Sequence, residues 1–197
     1  MALVTYSLTT LANLKEHLGI TVGTDDSLLT NIINRSTDII EAYCDGRRFA
    51  ETTYTNEEYS GTGTQLINLR NYPVTSLTAY DWNTGTAGST DWNSLQSEFI
   101  KAIDDGQGPG QVYYETGFVE GMKNYRFSYV AGYATIPNDL EEACLEMCSW
   151  IFNDRKSKGL QSETLGEYSY TKVVKKSNAI EDLGLDLILD KYLTPVV

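Results

Sequence analysis

The first fifty residues carry apolar positions at helical spacing. Leu11, Leu14 and Leu18 recur at i, i+3 and i+7 behind Thr9 and Thr10, either of which suits a helix cap, and Gly19 stops the run. A second stripe of Leu28, Leu29, Ile32, Ile33, Ile39, Ile40 and Tyr43 follows Asp25-Asp26-Ser27, whose carboxylates suit free N–H groups and the helix dipole. Gly46 ends it. Two helices joined by a short loop predict an antiparallel hairpin.

From about Thr52 the period changes to two. Alternating runs at 65–69, 74–81, 98–103, 111–115 and 125–133 predict antiparallel strands. Turn residues separate them: Ser60 to Gly63, Gly85 to Ser89, and Asp104 to Gly110. Helical spacing returns after Pro137, where Asn138 and Glu141 have the pattern of a capping box and Leu140, Ala143, Cys144, Met147, Cys148 and Ile151 form the apolar face up to Gly159. Gln161 to Lys176 is polar apart from Tyr168 and Tyr170 and predicts a loop or extended arm. A last helix is expected from Asn178 and Glu181, with Ile180, Leu183, Leu187, Ile188 and Tyr192 on it and Pro195 as its stop.

None of these helices can bury its stripe alone. The expectation is therefore an α+β protein, a small bundle of about four helices with an antiparallel β insert between the second and third main helices. The divisions are 1–50 for the helical hairpin, 51–136 for the β-rich insert, 137–160 for the third helix and 161–197 for the C-terminal arm and helix. A chain of 197 residues is long enough to bury a core of its own.

Charge narrows the function. Fifteen Lys and Arg against 27 Asp and Glu leave a formal charge of −12. A nucleic-acid binder gains affinity by neutralising phosphates with a basic stripe, and here the only basic clusters are Arg47-Arg48, Arg155 to Lys158 and Lys172 to Lys176. The start of the chain lacks a signal-peptide pattern, and no run approaches the length of a membrane span. Three cysteines at no framework spacing argue against a disulfide scaffold and for a reducing, cytosolic origin.

Catalytic chemistry finds little material. His17 is the only histidine, which removes the ordinary general base and commonest metal ligand, and it reads as structural. Cys144 and Cys148 share a helical face, but a four-coordinate zinc would need two further ligands and only Cys44 and His17 remain. Gly106 to Gly110 contains G-x-G with no helix after it, so it reads as a turn. Asp81 to Gly85 has the start of a calcium loop without its sixth-position Gly or closing Glu. These readings leave no catalytic residue, no metal and no cofactor. The alternative is a carbohydrate-binding or glycan-cleaving module built from insert carboxylates and Trp82 and Trp92, whose repeated Asp-Trp-Asn at 81–83 and 91–93 more simply marks two ends of a β loop. Fourteen tyrosines suit surfaces that meet other protein.

Several strings bear on family: Leu8-Thr-Thr-Leu-Ala-Asn-Leu-Lys-Glu-His-Leu-Gly-Ile20, Asp25-Asp-Ser-Leu-Leu29, Ile39-Ile-Glu-Ala-Tyr-Cys44, Asn71-Tyr-Pro-Val-Thr-Ser-Leu77, and Tyr125-Arg-Phe-Ser-Tyr-Val-Ala-Gly-Tyr-Ala134 running into Ile136-Pro-Asn-Asp-Leu-Glu-Glu-Ala-Cys144. In this order the chain resembles the head-tail connector, or head-completion and adaptor, proteins of tailed bacteriophages. The resemblance implies a non-enzymatic virion component made in the host bacterial cytoplasm. It implies a homo-oligomeric ring, commonly of twelve subunits, that docks on the portal protein and extends the DNA channel. The ring would also offer a face to the next neck or tail protein. DNA would pass without specific binding, which an acidic lumen favours, and no membrane is involved. The family's C-terminal segment tends to engage the portal. That makes Tyr168, Tyr170, Lys172, Leu183, Leu187 and Tyr192 candidates for portal or subunit contact, with completion of the helical bundle as the other role open to the last helix.

Overall fold

The computed structural model describes residues 2–85, 89–95, 100–103, 110–155, 162–165, 168–171 and 179–193. They form helices and antiparallel sheets, the mixed α+β class expected. The chain divides into two compact units, one combining the residues up to Gly46 with Ile136–Leu193, the other built on Arg47–Thr135.

The helical unit opens with α1 (Leu11–Leu18) and α2 (Asp26–Tyr43). Thr10, not Thr9, caps α1, its hydroxyl accepting the Asn13 N–H at 3.2 Å. Gly19 closes it with φ +67°, a left-handed geometry that costs glycine nothing. In the Asp25-Asp26-Ser27 cluster Asp25 holds the N-cap position of α2 but makes no side-chain cap hydrogen bond. Asp26 instead pairs with Lys15 Nζ at 2.7 Å, which joins the two helices. α2 buries Leu29, Ile32, Ile33 and Ile40 as its spacing predicts, and it also buries Asn34 and Thr37. These polar positions satisfy the chain before α1. Asn34 accepts the Val4 N–H at 3.1 Å and donates to the Ala2 carbonyl at 3.0 Å, and Thr37 Oγ1 accepts from Leu8 at 3.3 Å.

The third long helix, α3 (Asn138–Asp154), starts directly after Pro137 and has no side-chain cap. The expected capping box is not made because Pro137, not Asn138, holds the N-cap position, and Glu141 Oε1 instead accepts from Thr9 Oγ1 at 2.9 Å and Asn13 Nδ2 at 2.6 Å. Its buried face is Leu140, Ala143, Cys144, Met147, Cys148 and Phe152, so Phe152 takes the place the spacing had given to Ile151. The single last helix is in fact two short ones, α4 (Ala179–Asp182) and α5 (Asp186–Leu189), followed by a 3₁₀ turn at Asp190–Tyr192. Gly184 breaks it, with φ +69° and an N–H bonded to the Glu181 carbonyl at 3.0 Å.

The β unit has a four-stranded sheet in the order β1-β7-β3-β4 and a three-stranded sheet in the order β2-β6-β5. The first sheet comprises β1 (Thr52–Gly61), β3 (Val74–Asn83), β4 (Trp92–Ser94) and β7 (Gly121–Ala131). The second comprises β2 (Leu66–Asn68), β5 (Ile100–Ile103) and β6 (Gln111–Tyr114). Within both sheets neighbouring strands pair antiparallel. Both sheets feed one core, with Tyr59, Phe127, Tyr125 and Tyr129 from the first and Ile67, Ile100 and Val112 from the second.

The alternation had not shown β1, and its register explains why. Tyr54 faces Tyr129 and Tyr59 faces Tyr125, with one extra residue in β1 between them at the Tyr54/Glu57 register shift. That bulge, where Asn56 has φ +54°, brings two tyrosines five apart in sequence onto one face. At the other end of β7, Gly132 has φ +109°, and a Cβ there would lie 2.6 Å from the Ala50 carbonyl oxygen. Only glycine fits where this strand passes the Ala50–Glu51 backbone.

Candidate assembly surfaces

Inside the β unit, polar side chains are spent on one another. Glu57 Oε2 accepts from Tyr59 OH at 2.5 Å and from Tyr129 OH, whose two hydroxyls are 2.9 Å apart. Arg70 donates to Glu57 Oε1 at 3.0 Å and stacks over the Tyr59 ring, and Asn71 Nδ2 donates to Tyr129 OH at 3.3 Å. Burial, reinforced by the Glu57 carboxylate, pushes both phenols well above their ordinary value. At neutral pH both stay protonated donors that fix Glu57 in place.

The Asp-Trp-Asn repeat is likewise taken up by local contacts, although only Asp81 of its residues is buried. Its two copies face each other across the β3–β4 hairpin, Trp82 opposite Asn93 and Asn83 opposite Trp92. Asp81 pairs with Arg126 Nε at 2.7 Å and accepts from Ser94 Oγ at 3.0 Å. Trp82 stacks on Tyr125, Trp92 lies under the Arg126 guanidinium, and Asn83 Oδ1 accepts the Gly85 and Asp91 amides. The groups raised as a sugar platform or calcium loop are thus engaged in building the hairpin.

The helical unit places the cysteines in its interior, where all three are buried and none forms a disulfide. The hydrogen bond to Cys148 and burial push the Cys144 thiol well up, which suits packing and not nucleophilic work. His17 Nε2 stands 3.9 Å from Glu146 Oε1. Among the described residues no three His, Cys, Asp or Glu side chains cluster as metal ligands, and no helix is long and apolar enough to cross a membrane.

The candidate contact residues fall into different settings. Tyr168 and Tyr170 lie on β9 (Tyr168–Thr171), which pairs with β8 (Ser162–Leu165) as a hairpin, Tyr168 opposite Leu165 and Tyr170 opposite Glu163. The tract read as a loop or arm thus contains regular pairing. Lys172 lies outside the described residues. Leu187 is 83% exposed, Leu183 is half-buried, and Tyr192 is buried, its OH donating to Asp139 Oδ1 at 2.8 Å. Lys191 also pairs with Asp139, and Tyr43 OH donates to Asp190 Oδ1 at 2.6 Å, which pushes the Tyr43 phenol up to about 12.

One surface feature was not legible in the sequence. Leu28 and Ile32 of α2, with Trp150 and Ile151 of α3, line an open groove of about 310 Å³ whose polar lining is Asn31, Arg35, Asp154 and Arg155. Trp150 was outside the apolar stripe because it sits at its margin, 38% exposed.

A family model described as head completion protein matches residues 7–181. The chain belongs to the head completion protein family. As a member it is a structural head-tail connector of the virion. No curated protein matches the sequence. Among solved structures, a chain from the neck of an empty GTA particle, computed with C6 symmetry, is similar in fold, with a TM-score of 0.61 at 13% identity over 100% of this chain and 95% of that one.

Proposed function

We propose that the protein assembles into a ring that docks on the portal vertex, extends the DNA channel and presents the attachment surface for the next neck or tail protein. The observation that carries this reading is the family match spanning 7–181, both units included. The six-fold symmetry applied to the structurally similar neck supports a ring, and twelve copies accord with it. No catalytic role is assigned. The phenols, carboxylates and thiols described above are committed to internal contacts, which supports a scaffold that performs no chemistry.

Charge fits the same role. Residues 51–136 hold ten acidic and four basic side chains, so the insert region carries half of the net −12. Acid facing the bore would let DNA slide without binding. The portal contact is assigned to the β8–β9 hairpin with Tyr168 and Tyr170, together with Lys172. Sedimentation velocity with purified portal protein tests the assignment: the wild type should co-sediment with the portal and a Y168S/Y170S variant should not. A wild type that stays apart from the portal at high concentration would refute portal docking.

A further inference from the structure

The groove between α2 and α3 has a counterpart elsewhere on the same helical unit. Residues 179–193 contain Glu181, Asp182, Asp186 and Asp190 against a single Lys191. From the middle of this acidic segment Leu187 projects, 83% exposed. The groove offers apolar side chains together with Asn31, Arg35, Asp154 and Arg155, a net charge of one positive, and the segment offers an apolar knob among carboxylates. The two match in both hydrophobicity and sign.

Their positions exclude self-filling. The groove lies at the Leu28–Arg35 part of α2 and the Trp150–Arg155 end of α3. The acidic segment is tied to the opposite end of that helix pair, through Tyr43 with Asp190 and through Asp139 with Tyr192. From Asp139 to Asp154 the α3 axis runs about 22 Å at 1.5 Å per residue. A molecule therefore cannot seat its own Leu187 in its own groove, but a second copy can.

We propose that the α2–α3 groove receives the acidic α5 ridge, with Leu187 as its anchor, of a second copy of this chain. Two different faces meet in such a contact, so it is heterologous and propagates head to tail until its rotation closes a ring. This rests on the ring reading above and names the surfaces that would close it. Trp150 and Leu187 form the buried centre, and Arg35 and Arg155 pair with carboxylates at the rim.

Complementary variants separate the possibilities, with folding of each checked by circular dichroism. R35E/R155E spoils the groove and leaves the ridge, whereas D186S/L187S spoils the ridge, without reversing its charge, and leaves the groove. By native mass spectrometry, in concentrated solution and with portal present, each alone should show at least tenfold weaker self-association. Mixed, they should give a one-to-one dimer that grows no further, since each keeps one intact face. Rings of undiminished yield from either variant, or no dimer on mixing, would overturn the groove assignment while leaving the ring intact. A wild type that forms no oligomer in either condition would overturn the ring reading and this contact with it.

Discussion

The two units keep their interiors by different means. The helical unit buries aliphatic side chains along stripes, Leu14, Leu29, Ile33, Ile40, Leu140 and Met147 among them, and uses buried Asn34 and Thr37 to fasten the chain before α1. The β unit is aromatic. Phe118 meets Tyr125 and Phe127 edge-on, Tyr54 stacks on Tyr129, the hydroxyls of Tyr59 and Tyr129 converge on Glu57, and the Tyr125 hydroxyl accepts the Val119 N–H. A tyrosine core packs well only if each hydroxyl finds a partner. The helical unit therefore depends on volume and spacing, whereas the β unit depends on volume and on a polar network at the same time.

Truncating the cores gives the largest expected effects. Phe127→Ala should cost about 4 kcal/mol and Ile33→Ala about 3 kcal/mol, measured by urea unfolding, because each leaves a cavity in a fully buried site. Equal and small losses at both would mean that neither interior is packed as described.

The middle-sized effect separates the units. Tyr129→Phe removes a hydroxyl bonded to Glu57, Tyr59 and Asn71 and should cost about 1–2 kcal/mol near neutral pH. The pH dependence has a definite sign. With folded-state phenols raised above the ordinary value of about 10, the unfolded chain loses protons first as pH rises, so stability is full below about pH 10 and falls above it. Tyr129→Phe should make that alkaline fall shallower, as followed by tyrosinate absorbance alongside unfolding. An unchanged slope would remove the hydroxyl network from the account.

The smallest effect is at the surface. Lys15→Ala breaks the pair with Asp26 and should cost only about 0.5 kcal/mol, less at high salt. A loss of several kcal/mol in a thermal melt would show that the α1–α2 connection matters as much as the core.

The same contrast explains what could be read in advance. Helical stripes of aliphatic residues were legible because 3.6-residue spacing is specified by identity alone, and Leu14, Ile33, Leu140 and Met147 are buried as their spacing requires. Capping was misread, since Glu141 has the right spacing for a box but its partners, Thr9 and Asn13, are more than a hundred residues away in sequence. In the β unit, polar β1 escaped because it lies at a sheet edge and its bulge breaks the alternation. Among the contact candidates, spacing put Leu187 and Tyr192 on one helix and could not tell that one is exposed and the other hydrogen-bonded to Asp139. Trp150 was passed over because a groove between two helices has no signature along one of them.

Electron microscopy of the full chain mixed with its portal protein tests the central claim most directly. The account predicts a closed ring seated on the portal and continuous with its channel. Particles showing bare portal, with no ring and no added density at high protein concentration, would contradict it.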